Sequence, residues 1–201
     1  MISSLHSLVR VIIKIIPPLM QKEYEATFLE IDEAAVKDKL KSMGAQLKKP
    51  RQLMKRVIFD SPALNAEHSW VRLRDEGKAI TLTLKQITSD ATISGTNELE
   101  FSVDDLKKAD EFLARIGLTR KNYQENYREE WVLGDIKYDI DTWPDIPTFL
   151  EIEGPDEASV RSETEKLGFN YAEAWFGSID IIYLKKYGRD ILKEPNLLFK
   201  P

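Results

Sequence analysis

The chain has no cysteine and only two histidines, His6 and His68. The first absence removes disulfides, thiolate metal sites and cysteine nucleophiles together. The second argues against a multi-histidine zinc centre and against a Ser-His-Asp triad. Ionic chemistry in this protein therefore falls to carboxylates, lysines and arginines. Long apolar runs are also missing. The nearest approach is the N-terminal MISSLHSLVRVIIKIIPPLMQ, whose unbroken apolar run is too short to span a bilayer and is interrupted by Arg10 and Lys14. A net charge of −5 argues against general affinity for nucleic acid. The lack of cysteine fits a cytoplasmic location.

A signal peptide would need a small-residue cleavage site, and IIPPLMQ is a poor one. Residues 1–19 read as a dispensable extension upstream of Met20, or as a misassigned start. A membrane-surface amphipathic anchor, without stable insertion, is the rival reading. Residues 20–201 are expected to form one domain, since 42% apolar residues suffice for one sizeable core.

What the chain has in quantity is alternation. In EYEATFLEID, residues 23 to 32, Glu23, Glu25 and Thr27 share one face, and Tyr24, Ala26 and Phe28 the other. Similar runs follow at 52–60, 70–77, 79–87, 97–103, 122–133, 136–143 and 149–154. RDEGKA and LGDI read as hairpin turns. Eight strands with short turns predict a closed or nearly closed antiparallel sheet. Three amphipathic helices interrupt them, at 33–43, 104–116 and 156–167, each followed by a glycine (Gly44, Gly117, Gly168) as helix C-termini prefer. Each of these helices follows a strand bearing Glu-x-Glu: Glu23/Glu25, Glu98/Glu100 and Glu151/Glu153. The tail predicts one more helix, from Ser178 to about Tyr187, placed to close a barrel mouth or to build a homodimer surface.

One strand face collects the charges: Arg72, Arg74, Lys85, Arg128, Lys137, Asp139 and Asp141 join the glutamates. The other face is apolar, with Leu73, Leu82, Leu99, Ile140 and Ile152 among its members. Helices must cover the apolar face, which turns the charged face inward. A barrel interior so charged must hold water, ions or a charged ligand, because unpaired buried charge is costly. Carboxylate oxygens suit Mg²⁺ or Mn²⁺, and arginine and lysine suit phosphate. The parity alone is equally satisfied by a flat sheet whose wet face carries compensating charges.

In order along the chain, EYEAT, WVRLRDEG, TLTLK, ELE, NYREEW and DIDTWPDIPTFLEIEG resemble the CYTH superfamily. That superfamily groups class IV adenylate cyclases with thiamine triphosphatases and other triphosphate tunnel enzymes. The resemblance runs from about residue 22 to 170 and implies an α+β fold: an eight-stranded antiparallel β-barrel with flanking helices. It implies that Glu23, Glu25, Glu151 and Glu153 hold a divalent metal, Mg²⁺ or Mn²⁺, with Asp141 as a further ligand or as a partner behind the ligands. Glu98 and Glu100 would bind a second metal or orient the basic residues. Arg72, Arg74, Lys85 and Arg128 would grip the triphosphate, and Glu23, Glu25, Lys85 and Arg128 would stand closest to the chemistry. Two hallmark lysines are absent, since Thr27 and Asn126 stand in their places. Arg56, in LMKRVIFD, is expected to point inward and replace one lost charge. Three functions follow: a hydrolase of inorganic or organic triphosphates, a class IV adenylate cyclase acting on ATP, or a non-catalytic binder of phosphorylated ligands. In each the partner is a small-molecule triphosphate or nucleotide.

Other residues read as structural. Lys137 and Asp139 are expected to be structural or solvent-facing. Trp70, Trp131 and Trp143 are expected to pack, as are Tyr123 and Tyr127 on the barrel exterior. His68 has no expected role.

Overall fold

The computed structural model describes residues 20–200, so the expectations for residues 1–19 lie outside the described residues. The elements run β1 (Gln21–Phe28), α1 (Glu33–Ser42), β2 (Gln46–Asp60), α2 (Pro62–Ala66), β3 (Ser69–Asp75), β4 (Ile80–Ile87), β5 (Thr96–Val103) and α3 (Leu106–Arg115). They continue with β6 (Thr119–Leu133), β7 (Ile136–Thr142), β8 (Phe149–Gly154), α4 (Glu157–Leu167), α5 (Ile179–Tyr187) and β9 (Asn196–Leu197).

Eight antiparallel strands close into a barrel in the order β2-β3-β4-β5-β1-β8-β7-β6, and β2 pairs with β6 to complete the ring. The three Glu-x-Glu strands stand side by side as β5, β1 and β8. Gln21 lies opposite Glu98, Glu25 opposite Glu153 and Thr27 opposite Glu151. The short β9 runs parallel to β6 at Tyr123 and Gln124, before β7 begins to pair there. Among the described residues no helix is long and apolar enough to cross a membrane.

β2 and β6 are longer than the expected 52–60 and 122–133. Register shifts between Leu47 and Lys49, and again before Gln52, break the alternation that would mark the start of β2. The five-residue α2 is another element the periodicity does not announce. Its Ser61 hydroxyl accepts from the Leu64 N–H, and its proline sits at the first turn.

The apolar face points outward under the helices. Val36 and Leu40 of α1 and Val160 of α4 pack on Ala26, Tyr138, Ile140, Leu150 and Ile152. Leu113 of α3 covers Phe59, Val71 and Leu73 on the far side. Each such fully buried side chain contributes about 1.5–3 kcal/mol relative to exposure. The helices start at side-chain caps: Asp32, Asp105 and Asp156 accept from the N–H groups of Ala35, Lys108 and Ser159. Gly168 closes α4 in the left-handed region, at φ +90°. With the outside buried under helices, the other pleat of every strand has only the barrel interior to face.

The chain after α4 returns across the barrel. Thr27 and Trp175 exchange backbone hydrogen bonds of 3.0 and 2.9 Å. The residues that follow, Gly177 to Ile181, line the cavity. The first turn of the tail helix thus borders the cavity.

Candidate active site

The barrel encloses a cavity of about 470 Å³. The strands place their charges around it by sign. Arg56 comes from β2, Arg72 and Arg74 from β3, Lys85 from β4 and Arg128 from β6. Glu23 and Glu25 come from β1, Glu98 and Glu100 from β5, and Glu151 and Glu153 from β8. The expected site residues therefore share one cavity, apart from Asp141, which is fully buried behind its wall. Arg56 is only 6% exposed and faces inward.

Most carboxylates have a cation within ion-pair distance, and some share one. Lys85 Nζ lies 3.0 Å from Glu23 and 2.6 Å from Glu98. Lys137 Nζ is 2.5 Å from Glu153. Arg72 Nη2 donates to Glu100 at 3.0 Å and to Thr83 at 3.1 Å, and the Thr83 hydroxyl donates to the same carboxylate at 2.7 Å. Arg128 is the most heavily engaged. Its Nε donates to Asp141 at 2.7 Å, its Nη1 to Asp139 at 2.6 Å, and its Nη2 to Asp141 and Glu151 at 2.5 Å each. Such charge-assisted bonds are about twice as strong as neutral ones. Burial opposes the charge on Arg128, but Asp139, Asp141 and Glu151 outweigh it and raise its pKa well above the usual range. Asp141 is thus the partner of an arginine, not a group facing the cavity.

Two sets of groups are left over. The first is Glu25, which has no ion-pair partner among the described residues. Burial pushes its carboxyl well above the usual range, and Glu151 and Glu23 add to the effect. Burial likewise raises Glu151 to about 7, against Arg128 and with Asp141 and Asp139. The second set is on the opposite wall. The Nε atoms of Arg56, Arg72 and Arg74 are buried with no hydrogen-bond partner. Burial, together with Arg74, Arg72 and Arg128, pushes the Arg56 guanidinium well below the usual arginine range. Buried donors are nearly always satisfied in native proteins, so three orphans beside one cavity call for an acceptor.

The placement adds detail to several sequence readings. Asp139 is buried on the barrel interior and bonds Arg128, and Lys137 lines the cavity beside Glu153, so neither is simply solvent-facing. Trp70 and Trp143 line the cavity as well as packing; only Trp131 belongs wholly to the outer core, with its Nε1 donating to Glu129 at 2.7 Å. His68, given no role, also lines the cavity, in a left-handed corner at φ +52°. Tyr127 stays outside, against Phe199 and Arg51.

Glu76 was missed. It is buried, pairs with Arg74 and with Lys49 at 3.1 Å, and is held at about 2: burial opposes its charge, but Arg74 and Lys49 outweigh it. The signal was present, since residue 76 continues the parity of Arg72 and Arg74. RDEG had instead read as a turn.

The CYTH domain family model matches residues 21–171, most of the chain. No curated protein sequence matches significantly. Solved structures do match. A proposed adenylate cyclase from Vibrio parahaemolyticus superposes with TM-score 0.69 at 13% identity, covering 81% of this chain and 97% of its own. The PH1012 protein of Pyrococcus horikoshii gives 0.63 at 20%, covering 76% and 93%. The proposed adenylyl cyclase HpAC1 from Hippeastrum, described as having a dominant triphosphatase activity, gives 0.55 at 14%, covering 83% and 96%. At these identities the likeness shows a shared barrel. The family model adds what the strands and their charged interior had indicated: this chain belongs to the CYTH domain family.

Proposed function

We propose that the barrel binds the triphosphate group of a small molecule and hydrolyses its terminal phosphoanhydride bond with a divalent cation. The observation that carries this reading is the trio of unpartnered guanidinium Nε atoms, Arg56, Arg72 and Arg74, around one enclosed cavity. A phosphate chain offers several oxygens to such a set, and guanidinium forks match them in pairs. Hydrolysis joins a water oxygen to the terminal phosphorus and breaks the bridging P–O bond. The arginines and Lys85 would neutralise the charge that builds on the departing oxygens.

The donor chemistry fits a hard cation. Glu25 lies half-buried among like charges with no ion-pair partner among the described residues, and a bound Mg²⁺ or Mn²⁺ would relieve that repulsion. Glu23, Glu25, Glu151 and Glu153 would hold it. As they stand, three of these four are paired with lysine or arginine, and no three His, Cys, Asp or Glu side chains converge on one point among the described residues. When bound, the ion would polarise the phosphoryl group.

The test is a reaction panel. Purified protein is given Mg²⁺ or Mn²⁺ with tripolyphosphate, thiamine triphosphate or ATP, and assayed for phosphate, pyrophosphate and cyclic AMP. Phosphate release from one of them is the expected result. Cyclic AMP with pyrophosphate would assign a cyclase instead, and silence from folded protein would leave a phosphate-ligand binder.

A further inference from the structure

Arg56 differs from every other cation in the cavity wall. Lys85, Arg72, Arg74, Arg128 and Lys137 each lie within ion-pair distance of at least one carboxylate. Arg56 has none among the described residues. Its Nη2 donates instead to the Asn126 amide oxygen, and its guanidinium carbon lies 4.6 Å from the centre of the Trp143 ring. Both partners are deeply buried: Asn126 is 0% and Trp143 3% exposed. Both are uncharged.

We propose that Asn126 and Trp143 are positioning residues that hold Arg56 in the tunnel without neutralising it, and so set the tunnel's affinity for polyphosphate. The backbone provides the placement. Across the β2–β6 seam Met54 lies opposite Asn126 and Arg56 opposite Gln124. Arg56 and Asn126 are thus diagonal neighbours on one face, within reach of long side chains. Trp143 follows β7 immediately and brings its indole face to the guanidinium, an arrangement that favours cations.

Arg128 shows what a charged holder does. Asp139, Asp141 and Glu151 fix its geometry but consume its charge. An amide and an indole fix Arg56 and leave its charge available to a ligand. The same reasoning accounts for Asn126 being neither acidic nor basic. An aspartate there would neutralise Arg56. A lysine would repel it, in a cluster that already holds Arg72, Arg74 and Arg128.

This inference rests on the reading of the tunnel as a triphosphate site, and the experiment separates the two. Binding of tripolyphosphate by the full chain is followed by titration calorimetry without metal, beside thermal denaturation of each variant. Asn126→Asp is expected to lower affinity about tenfold with a melting temperature no lower than the parent's, because the new carboxylate pairs with Arg56. Arg56→Gln is expected to lower it similarly, and the double variant to bind no worse than Arg56→Gln alone. Trp143→Phe, which keeps a ring under the guanidinium, should bind within about threefold of the parent, and Trp143→Leu should lose more. Unchanged affinity in Asn126→Asp, or additive losses in the double variant, overturns the inference while leaving the tunnel reading intact. A parent chain that binds no tripolyphosphate overturns the tunnel reading and takes this inference with it.

Discussion

The two walls of the barrel interior solve the same electrostatic problem in opposite ways. On β7, β8 and β1 the acidic wall carries Asp139, Asp141, Glu151, Glu153, Glu23 and Glu25, and Lys137 of β7, with Arg128 from β6 and Lys85 from β4, neutralises all but Glu25. On β2 and β3 the cationic wall carries Arg56, Arg72 and Arg74 with three orphan Nε atoms. An interior built only for stability would interleave the signs and leave nothing over. Here a negative remainder stands on one side and a positive remainder on the other. Burying unpaired charge costs several kcal/mol per group in real proteins. Its retention on both walls is what the proposed cation and polyanion would offset together.

The largest expected effect tests the acidic remainder. If Glu25 holds the proposed metal, Glu25→Gln should lower metal-dependent turnover by at least the roughly tenfold to hundredfold that loss of an outer-shell partner costs, while leaving the melting temperature of the metal-free protein unchanged or higher. The sign follows from the repulsion of Glu25 by Glu151 and Glu23. A large drop in the melting temperature would mean that Glu25 is structural, and the comparison of walls would lose its acidic half. Steady-state phosphate release and a thermal melt, run side by side, decide it.

Arg74→Ala tests the cationic wall and should weaken tripolyphosphate binding about tenfold to a hundredfold. Binding of inorganic monophosphate should weaken less, because one phosphate cannot engage the whole row. Equal losses for the two ligands would argue against a polyphosphate site. Glu76→Gln comes next in size. Glu76 lies on the β3 parity line beyond Arg74 and holds its Nη2, so removing its charge should loosen Arg74 and cost about threefold to tenfold in the same titration. No change there would mean that Arg74 is held by Glu100 alone, which lies 3.7 Å away.

Much of this site was legible because alternation is a strict code. The apolar sets Leu82/Leu84 and Ile140/Ile152 had to face helices, so Arg72, Lys85 and Glu151 had to face in. The cap-and-glycine boundaries of the three expected helices hold to within a residue or two for the same local reasons. What could not be read was who pairs with whom. Arg128 meets Glu151 across β7, between strands whose order in the sheet no local pattern states. The missing lysine at Thr27 also acquires a meaning only in three dimensions. Thr27 is 2% exposed and is bridged edge to edge, through its backbone, to Trp175 of the returning chain. Trp143 looked like packing because an indole that also cradles a guanidinium has no sequence signature of its own.

The smallest effect is a pH dependence, and it belongs to one wall only. Burial holds Glu151 at about 7 and Asp139 at about 6, in both cases against the pull of Arg128. Both values lie above the ordinary carboxylate range near 4. Between about pH 4 and about pH 7 the folded chain therefore keeps protons that the unfolded chain has already released. Stability must then fall as the pH rises through that window and level off above it. Glu76 and Glu98 act in the other direction. Burial opposes their charge too, but Arg74 with Lys49, and Lys85 with Arg72, outweigh it and hold them at about 2. Their contribution is complete above the ordinary range and is lost only as the pH drops below it. The metal-free protein in a chelating buffer should thus lose a few degrees of melting temperature between about pH 5 and about pH 8. Glu151→Gln should flatten that descent, and Arg74→Ala should leave it in place. A flat profile in the parent would show the acidic wall to be fully compensated by Arg128 and Lys137, whereas a descent that survives Glu151→Gln would move its source to Glu25, Glu23 and Asp139, whose carboxyls burial also raises.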